Sequence, residues 1–272
     1  MDHITFPKDQ VVPMEVITPD IRGLRIVFVN VFGVAHADGS WTLIDAGLPY
    51  SETLIRHWAE KEFRGAPNAI LLTHGHFDHV SAAGQLAAHW NVSVYAHPDE
   101  RPYLTGEQEY PPPNFAAGGG LMSLLSPLLP RRPVNLGQRL RLLESADSGV
   151  LDVMPGWQIL HTPGHTPGHI SFFREQDGTL LPGDAFCTTK PESFFEAAIA
   201  QKPELHGPPA YFTSDWRSAR RSVERLAALR PHIVAPGHGR PIAGESVATT
   251  LERLAAQFDE VAVPENRSNP AA

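Results

Sequence analysis

The chain has 272 residues, 42% of them hydrophobic, enough for one large or two small domains around a sizeable core. Its 22 basic and 30 acidic side chains leave a net charge of −8, which argues against nucleic-acid binding because phosphate contacts need a basic surface. No stretch nears the roughly 18 apolar residues of a membrane helix, residues 1–7 carry no signal-peptide pattern, and the one cysteine, Cys187, has no internal disulfide partner, so a cytoplasmic protein is expected.

Residues 24–32 are β-branched and aromatic and read as one strand. Gly33 and Asp38-Gly39 mark a hairpin turn, 41–45 is the return strand, and Ala46-Gly47 ends it. An acid that closes a buried strand needs a partner. Asp45 is therefore read either as a structural hydrogen-bond acceptor or as a support beside a metal. Ser51 caps a helix that runs to Phe63. The apolar run 69–73 is a buried strand, 81–90 a helix and 92–96 a further strand. This alternation points to an α/β architecture.

Between the strand 69–73 and the helix after it stands His74-Gly75-His76-Phe77-Asp78-His79. Four of these six side chains bind metal readily. They fall at the carboxyl end of a strand, where open α/β sheets place their sites. Alternate spacing puts His74 and His76 on one side of an extended segment. Asp78 and His79 start the next turn and point elsewhere, so one peptide feeds two neighbouring centres.

The segment 98–150 is irregular, with a triple proline at 111–113, a triple glycine at 118–120 and an apolar run at 121–129. A long irregular insertion is usually a functional lid or a linker. Its apolar content favours a lid or a homodimer contact. Residues 157–161 read as a strand that leads into a Pro- and Gly-punctuated turn, 162–169, holding His165 and His169. Strands follow at 170–174 and 179–182, the second ending at Gly183-Asp184. The stretch 186–212 is irregular and aromatic, a second wall for a pocket. A helix at 215–229, a strand at 233–235, the loop Pro236-Gly237-His238-Gly239 and a helix at 247–261 complete a domain spanning 1–263. The tail 264–272 is polar and expected to be disordered.

The candidate ligands in strand-end loops are His74, His76, Asp78, His79, His165, Asp184 and His238. His165 can complete one centre, His238 the other, and Asp184 can bridge them. Nitrogen and carboxylate donors without thiolate suit zinc first, at two per chain, with iron or manganese as the other candidates. Two such metals can hold a bridging hydroxide and clamp both oxygens of a displacement, and Asp78 is also read as a catalytic group that can shuttle a proton to the leaving group. The remaining histidines, His161 and His169 among them, read as ordinary hydrogen-bonded residues.

His74-Gly-His76-Phe-Asp78-His79 resembles the His-x-His-x-Asp-His signature of the metallo-β-lactamase superfamily. Residues 43–47 resemble its early Asp-x-Gly motif, 162–169 its third motif with His165 as ligand, Gly183-Asp184 its bridging-acid motif and 236–239 its last-ligand motif. The resemblance implies an αββα sandwich of two mixed β-sheets, with metals at one edge and Asp45 supporting a ligand. It also implies a hydrolase acting on a small-molecule ester, lactone or thioester. Secreted β-lactamases of the common type carry a cysteine where Asp184 stands, so β-lactam hydrolysis is the lesser alternative. Glyoxalase II has a helical C-terminal domain for which the stretch after His238 is too short. Acyl-homoserine lactonases place a tyrosine shortly after the bridging acid, where this chain has Ala185-Phe186-Cys187. The main alternative is a persulfide dioxygenase, which binds a single iron through positions equivalent to His74, His76, His165 or Asp184.

Overall fold

The computed structural model describes residues 4–114, 117, 121–131, 134–143, 152–193, 198–199 and 202–265. A short strand, β1 (Ile4–Thr5), lies outside the two main sheets. The first main sheet has six strands in sequential order: β2 (Ile21–Ile26), β3 (Val29–Ala35), β4 (Trp41–Ile44), β5 (Ile70–Leu71), β6 (Val94–Ala96) and β7 (Leu140–Leu142). Its first three strands are antiparallel and the rest parallel. The second holds β8 (Gln158–His161), β9 (Ile170–Arg174) and β10 (Thr179–Leu181). After β11 (Glu204–Leu205), which pairs with β1, it is completed by β12 (Ile233–Val234) and β13 (Ile242–Ala243). Both main sheets are mixed.

Side-chain alternation along the strands builds three apolar layers. In β4, Trp41 and Leu43 face outward, while Ile44 faces the opposing sheet. In β9, Ile170 and Phe172 face inward and Phe173 faces out. Ile21, Phe32, Ile44, Leu71, Trp157, Ile159 and Phe172 fill the space between the sheets. Each such buried side chain is worth roughly 1.5–3 kcal/mol. The outer face of the first sheet is covered by α1 (Glu52–Glu62), through Ile55 and Ala59. After α2 (Phe77–Val80), α3 (Ala83–Trp90) covers the same face through Leu86 and Ala87. Two further short helices, α4 (Arg101–Leu104) and α5 (Leu121–Leu125), precede the second sheet. That sheet is covered by α6 (Trp216–Ala228), through Val223 and Leu226, and α7 (Ser246–Ala256), through Leu251 and Leu254. Phe258 of α8 (Phe258–Val261) joins them. The result is the expected αββα sandwich.

Several local expectations need correction. Residues 24–32 are not one strand: a turn at Val27 and Phe28 splits them between β2 and β3. Val27 takes φ 58°, a costly conformation for a β-branched residue that no local signal announces. Gly33 lies inside β3 rather than in a turn. A Cβ there would sit 2.4 Å from the Phe63 ring, so the glycine admits that ring against the sheet. The Asp38-Gly39 turn forms as expected, with Gly39 at φ 85°. Ser51 precedes α1, but its hydroxyl donates to the Leu48 carbonyl and makes no cap bond to the helix. Helix begins at Phe77, inside the hexapeptide, and resumes at Ala83. The insertion is not irregular throughout, because β7 extends the first sheet. The expected aromatic wall at 186–212 is only partly a wall: Phe186 and Cys187 are buried. The triple glycine and residues 144–150 of the insertion lie outside the described residues, as do residues 266–272 of the tail.

Candidate metal centre

The sandwich brings together loops that are distant in sequence. Asp45 follows β4, the hexapeptide follows β5, residues 162–169 join β8 to β9, Asp184 follows β10 and His238 follows β12. Every one of these acids and histidines is buried. His74, His76 and His165 form one triad of mutually close donor atoms. Asp78, His79 and His238 form another, and His74, His79 and Asp184 a third between them. His76 Nδ1 lies 2.9 Å from His165 Nε2. Asp184 Oδ2 reaches both sides, at 3.6 Å from His165 Nε2, 3.5 Å from His79 Nε2 and 3.0 Å from His238 Nε2. Asp78 Oδ2 is 3.4 Å from His238 Nε2.

The surrounding hydrogen bonds fix which imidazole nitrogen faces inward. Thr73 donates its hydroxyl to Asp45 and so accepts from His74 Nδ1 at 3.0 Å. Thr213 donates to the Pro209 carbonyl and accepts from His165 Nδ1 at 3.1 Å. Asp45 Oδ2 accepts from His79 Nδ1 at 2.8 Å, and the Phe28 carbonyl accepts from His238 Nδ1 at 2.8 Å. In all four rings Nδ1 holds an outward proton, which leaves Nε2 as the atom that faces the centre and could ligate a metal. His74 Nε2, His79 Nε2 and Asp184 Oδ1 are buried and make no hydrogen bond among the described residues. Burial of unpaired polar atoms is costly unless a ligand satisfies them. The donor set therefore fits divalent metal.

The electrostatics divide the rings into two groups. Burial, reinforced by neighbouring imidazoles, holds His74 and His165 well below the usual histidine range. Burial brings His76 down to about 3. These rings are neutral at pH 7 and keep their lone pairs. Burial opposes charge on His79 and His238 too, but the carboxylates around them, Asp184 foremost, raise both. The same two imidazoles keep Asp184 well below the ordinary carboxylate range despite its burial. Burial raises Asp78.

His169, read from the sequence as an ordinary histidine, binds through hydrogen bonds. It donates from Nδ1 to Thr162 and accepts the Asp184 amide at Nε2, 2.9 Å away. Burial depresses it to about 3. Its folded value lies below the ordinary value of 6.5, so the unfolded chain takes the proton first. Its contribution is complete above pH 6.5 and is lost as the pH falls toward 3. Metal-free protein should melt at progressively lower temperature from about pH 7 to pH 4, with each such ring adding up to about 1.4 kcal/mol per pH unit. Thermal melts across that range check this, and a flat profile would contradict it.

Three supports escaped sequence reasoning. Asn30 donates from Nδ2 to the Pro236 and Gly239 carbonyls, both at 2.8 Å, and so shapes the His238 loop. Thr213 orients His165, and the Phe28 carbonyl orients His238. None carries a local signal, since each acts across a long sequence separation. His97, Asp99 and His161 also converge, but the two rings stack at 4.1 Å and 8°. A metal must lie in the plane of each ligating ring, so parallel rings stacked this way cannot share one.

A chamber of ≈ 250 Å³ opens beside His76 and His165, walled by Tyr103, Tyr110, Pro111, Pro112, Tyr211, Phe212 and Trp216. The Tyr110 and Phe212 rings lie 4.4 and 4.8 Å from the His76 ring. A larger, open hollow of ≈ 540 Å³ lies by Gln158, Glu175 and His232, and none of the candidate ligands lines it.

Residues 24–238 match the profile of the metallo-beta-lactamase superfamily, and the chain belongs to that superfamily. It is similar to "Probable metallo-hydrolase YflN" of Bacillus subtilis (strain 168), 40% identical over 89% of this chain and 92% of that one. Among solved structures it resembles the B3 metallo-beta-lactamase BLEG-1, with a TM-score of 0.58 and 25% identity over 83% of this chain and 95% of that one. It also resembles TTHA1623 in a di-iron-bound form, with a TM-score of 0.54 and 28% identity over 82% and 94%.

Proposed function

We propose that this metallo-hydrolase cleaves an ester, lactone or thioester at a dinuclear centre that takes zinc. The observation that carries the reading is the trio of buried, unpartnered atoms, His74 Nε2, His79 Nε2 and Asp184 Oδ1, held between two donor triads. His74, His76 and His165 would hold one ion, Asp78, His79 and His238 the other, with Asp184 touching both. When bound, such a pair supplies a Lewis acid for the carbonyl and a nucleophile at neutral pH.

The chain supplies the rest. Asp45 holds His79 in the tautomer that offers Nε2. Asp78 is the group we assign to pass a proton to the leaving oxygen or sulfur. The aromatic chamber beside His76 and His165 receives the acyl or ring group and limits water there. Tyr103 to Asn114, the described start of the insertion, forms one wall, and its lid role belongs to this reading. The described lining residues include no lysine or arginine. A neutral substrate fits that wall better than a β-lactam, whose carboxylate finds no cation in it. No helix among the described residues is long and apolar enough to cross a membrane. A cytoplasmic setting fits the single, buried, free Cys187.

Elemental analysis of protein purified without added metal tests the centre. The substrate class is tested by a panel of neutral aryl esters, lactones, thioesters and β-lactams, run in zinc, manganese and iron forms. Two metals per chain and metal-dependent turnover of the neutral esters, lactones or thioesters are expected. One iron per chain with oxygen uptake on a persulfide would replace this reading with the oxidoreductase one. The di-iron form of TTHA1623 is the reason the iron arm is included.

A further inference from the structure

Glu100 is an unremarked acid in the sequence, yet its side chain is fully buried. No lysine or arginine among the described residues is a hydrogen-bond partner of it. Its two oxygens each hold one ligand-bearing loop. Oε2 accepts the Gly75 amide at 2.9 Å, from between His74 and His76, and also the Tyr110 hydroxyl. Oε1 accepts the Thr166 hydroxyl at 2.6 Å and the Gly168 amide at 2.8 Å, on the loop that carries His165. The two loops are 89 residues apart where His76 meets His165. A carboxylate satisfied by four donors is stable at this depth, whereas any lost donor would leave it exposed to the full burial cost.

Both glycines are shaped to this group. A Cβ on Gly75 would lie 2.7 Å from the Tyr110 hydroxyl and 3.2 Å from Glu100 Oε2. One on Gly168 would lie 2.8 Å from Glu100 Cγ. Neither loop can carry a side chain there and keep its distance to the carboxylate. We propose that Glu100 is a positioning residue that clamps the His74–His76 loop to the His165 loop and thereby sets the affinity of that triad for metal. The proposal rests on the assignment of His74, His76 and His165 to one centre.

Glu100→Gln is the informative change. Whichever way the amide turns, its NH2 group faces a backbone N–H, of Gly75 or of Gly168, and neither can become an acceptor. One loop is released while the shape is kept. Metal affinities are read by chelator competition on metal-free protein in two backgrounds. With His238→Ala, which leaves the His74, His76 and His165 centre, Glu100→Gln should weaken binding by about 10–100-fold, as for other groups that orient ligands. With His165→Ala, which leaves the Asp78, His79 and His238 centre, it should change nothing. Equal affinity in the His238→Ala background, or equal weakening in both, overturns the proposal. If His165→Ala alone leaves both affinities intact, the centre assignment fails instead, and the two failures are thereby told apart. Should Glu100→Gln not fold, Thr166→Val and Thr166→Ser give the same reading. The valine variant should weaken the first centre and the serine variant, which keeps the hydroxyl, should not. Thr166→Val with wild-type affinity overturns the proposal.

Discussion

Replacing Asp184 by asparagine is expected to take the protein from two metal ions per chain to one or none, and to lower metal-dependent turnover by about 100-fold or more. The lower bound is the effect of disturbing a group that merely orients a ligand, and Asp184 is placed closer than that. Its Oδ2 lies within 3.6 Å of an imidazole nitrogen from each triad, and its Oδ1 has no partner. Among the described residues it is the one carboxylate that reaches both. The site is built closely around it, because a Cβ on Gly237 would fall 2.2 Å from Oδ1. Asparagine keeps the shape and the backbone bond to His169 but removes the charge. Its amide also turns N–H groups toward nitrogens that must offer lone pairs. Elemental analysis and steady-state rates with the best substrate of the panel check this. Two metals at near-normal rate would show that Asp184 does not bridge.

Asp45→Asn should weaken metal binding at the centre of Asp78, His79 and His238 by roughly 10–100-fold while leaving the fold intact. Asp45 Oδ1 accepts the Thr73 amide at 2.8 Å, and Oδ2 accepts His79 Nδ1 at 2.8 Å. With asparagine, the oxygen can keep Thr73, but the amide N–H then meets His79 Nδ1. The ring answers by moving its proton to Nε2, which removes the lone pair that faced the metal. The backbone tolerates the change: Asp45 sits at φ 61°, where asparagine is among the few residues at ease. Asp45→Ala would add backbone strain of about 1–2 kcal/mol and confuse the two effects. Chelator competition, with thermal melting as a control for the fold, separates them. Unchanged affinity would reduce Asp45 to a structural acceptor, the other reading its position in the sequence allows.

The legible parts of this protein were those in which chemistry and chain order coincide. Four ligand-capable residues in six follow an apolar run that contains β5, inside the first sheet. The other strand-end loops, at His165, Asp184 and His238, could be found by the same logic, and the fold gathers them, with Asp45 bonded to His79. Where reading failed, the cause was packing across the sandwich. Gly33 looked like a turn residue because nothing nearby in sequence shows that the Phe63 ring lies over it. The turn at Val27 was missed because a β-branched residue at positive φ contradicts local preference. It presents the Phe28 carbonyl to His238, over 210 residues of separation.

Residue type, motif order and periodicities of two and 3.6 were enough for the class of protein and for the strand ends that carry the candidate donors. Packing across the sandwich sets which nitrogen of each ring faces inward, which loops are held together and what walls the chamber. Those depend on single hydrogen bonds and ring contacts, such as Thr213 to His165, Glu100 to Gly75 and Phe212 against His76. Such contacts join residues far apart in the chain, and no local pattern of side chains encodes them.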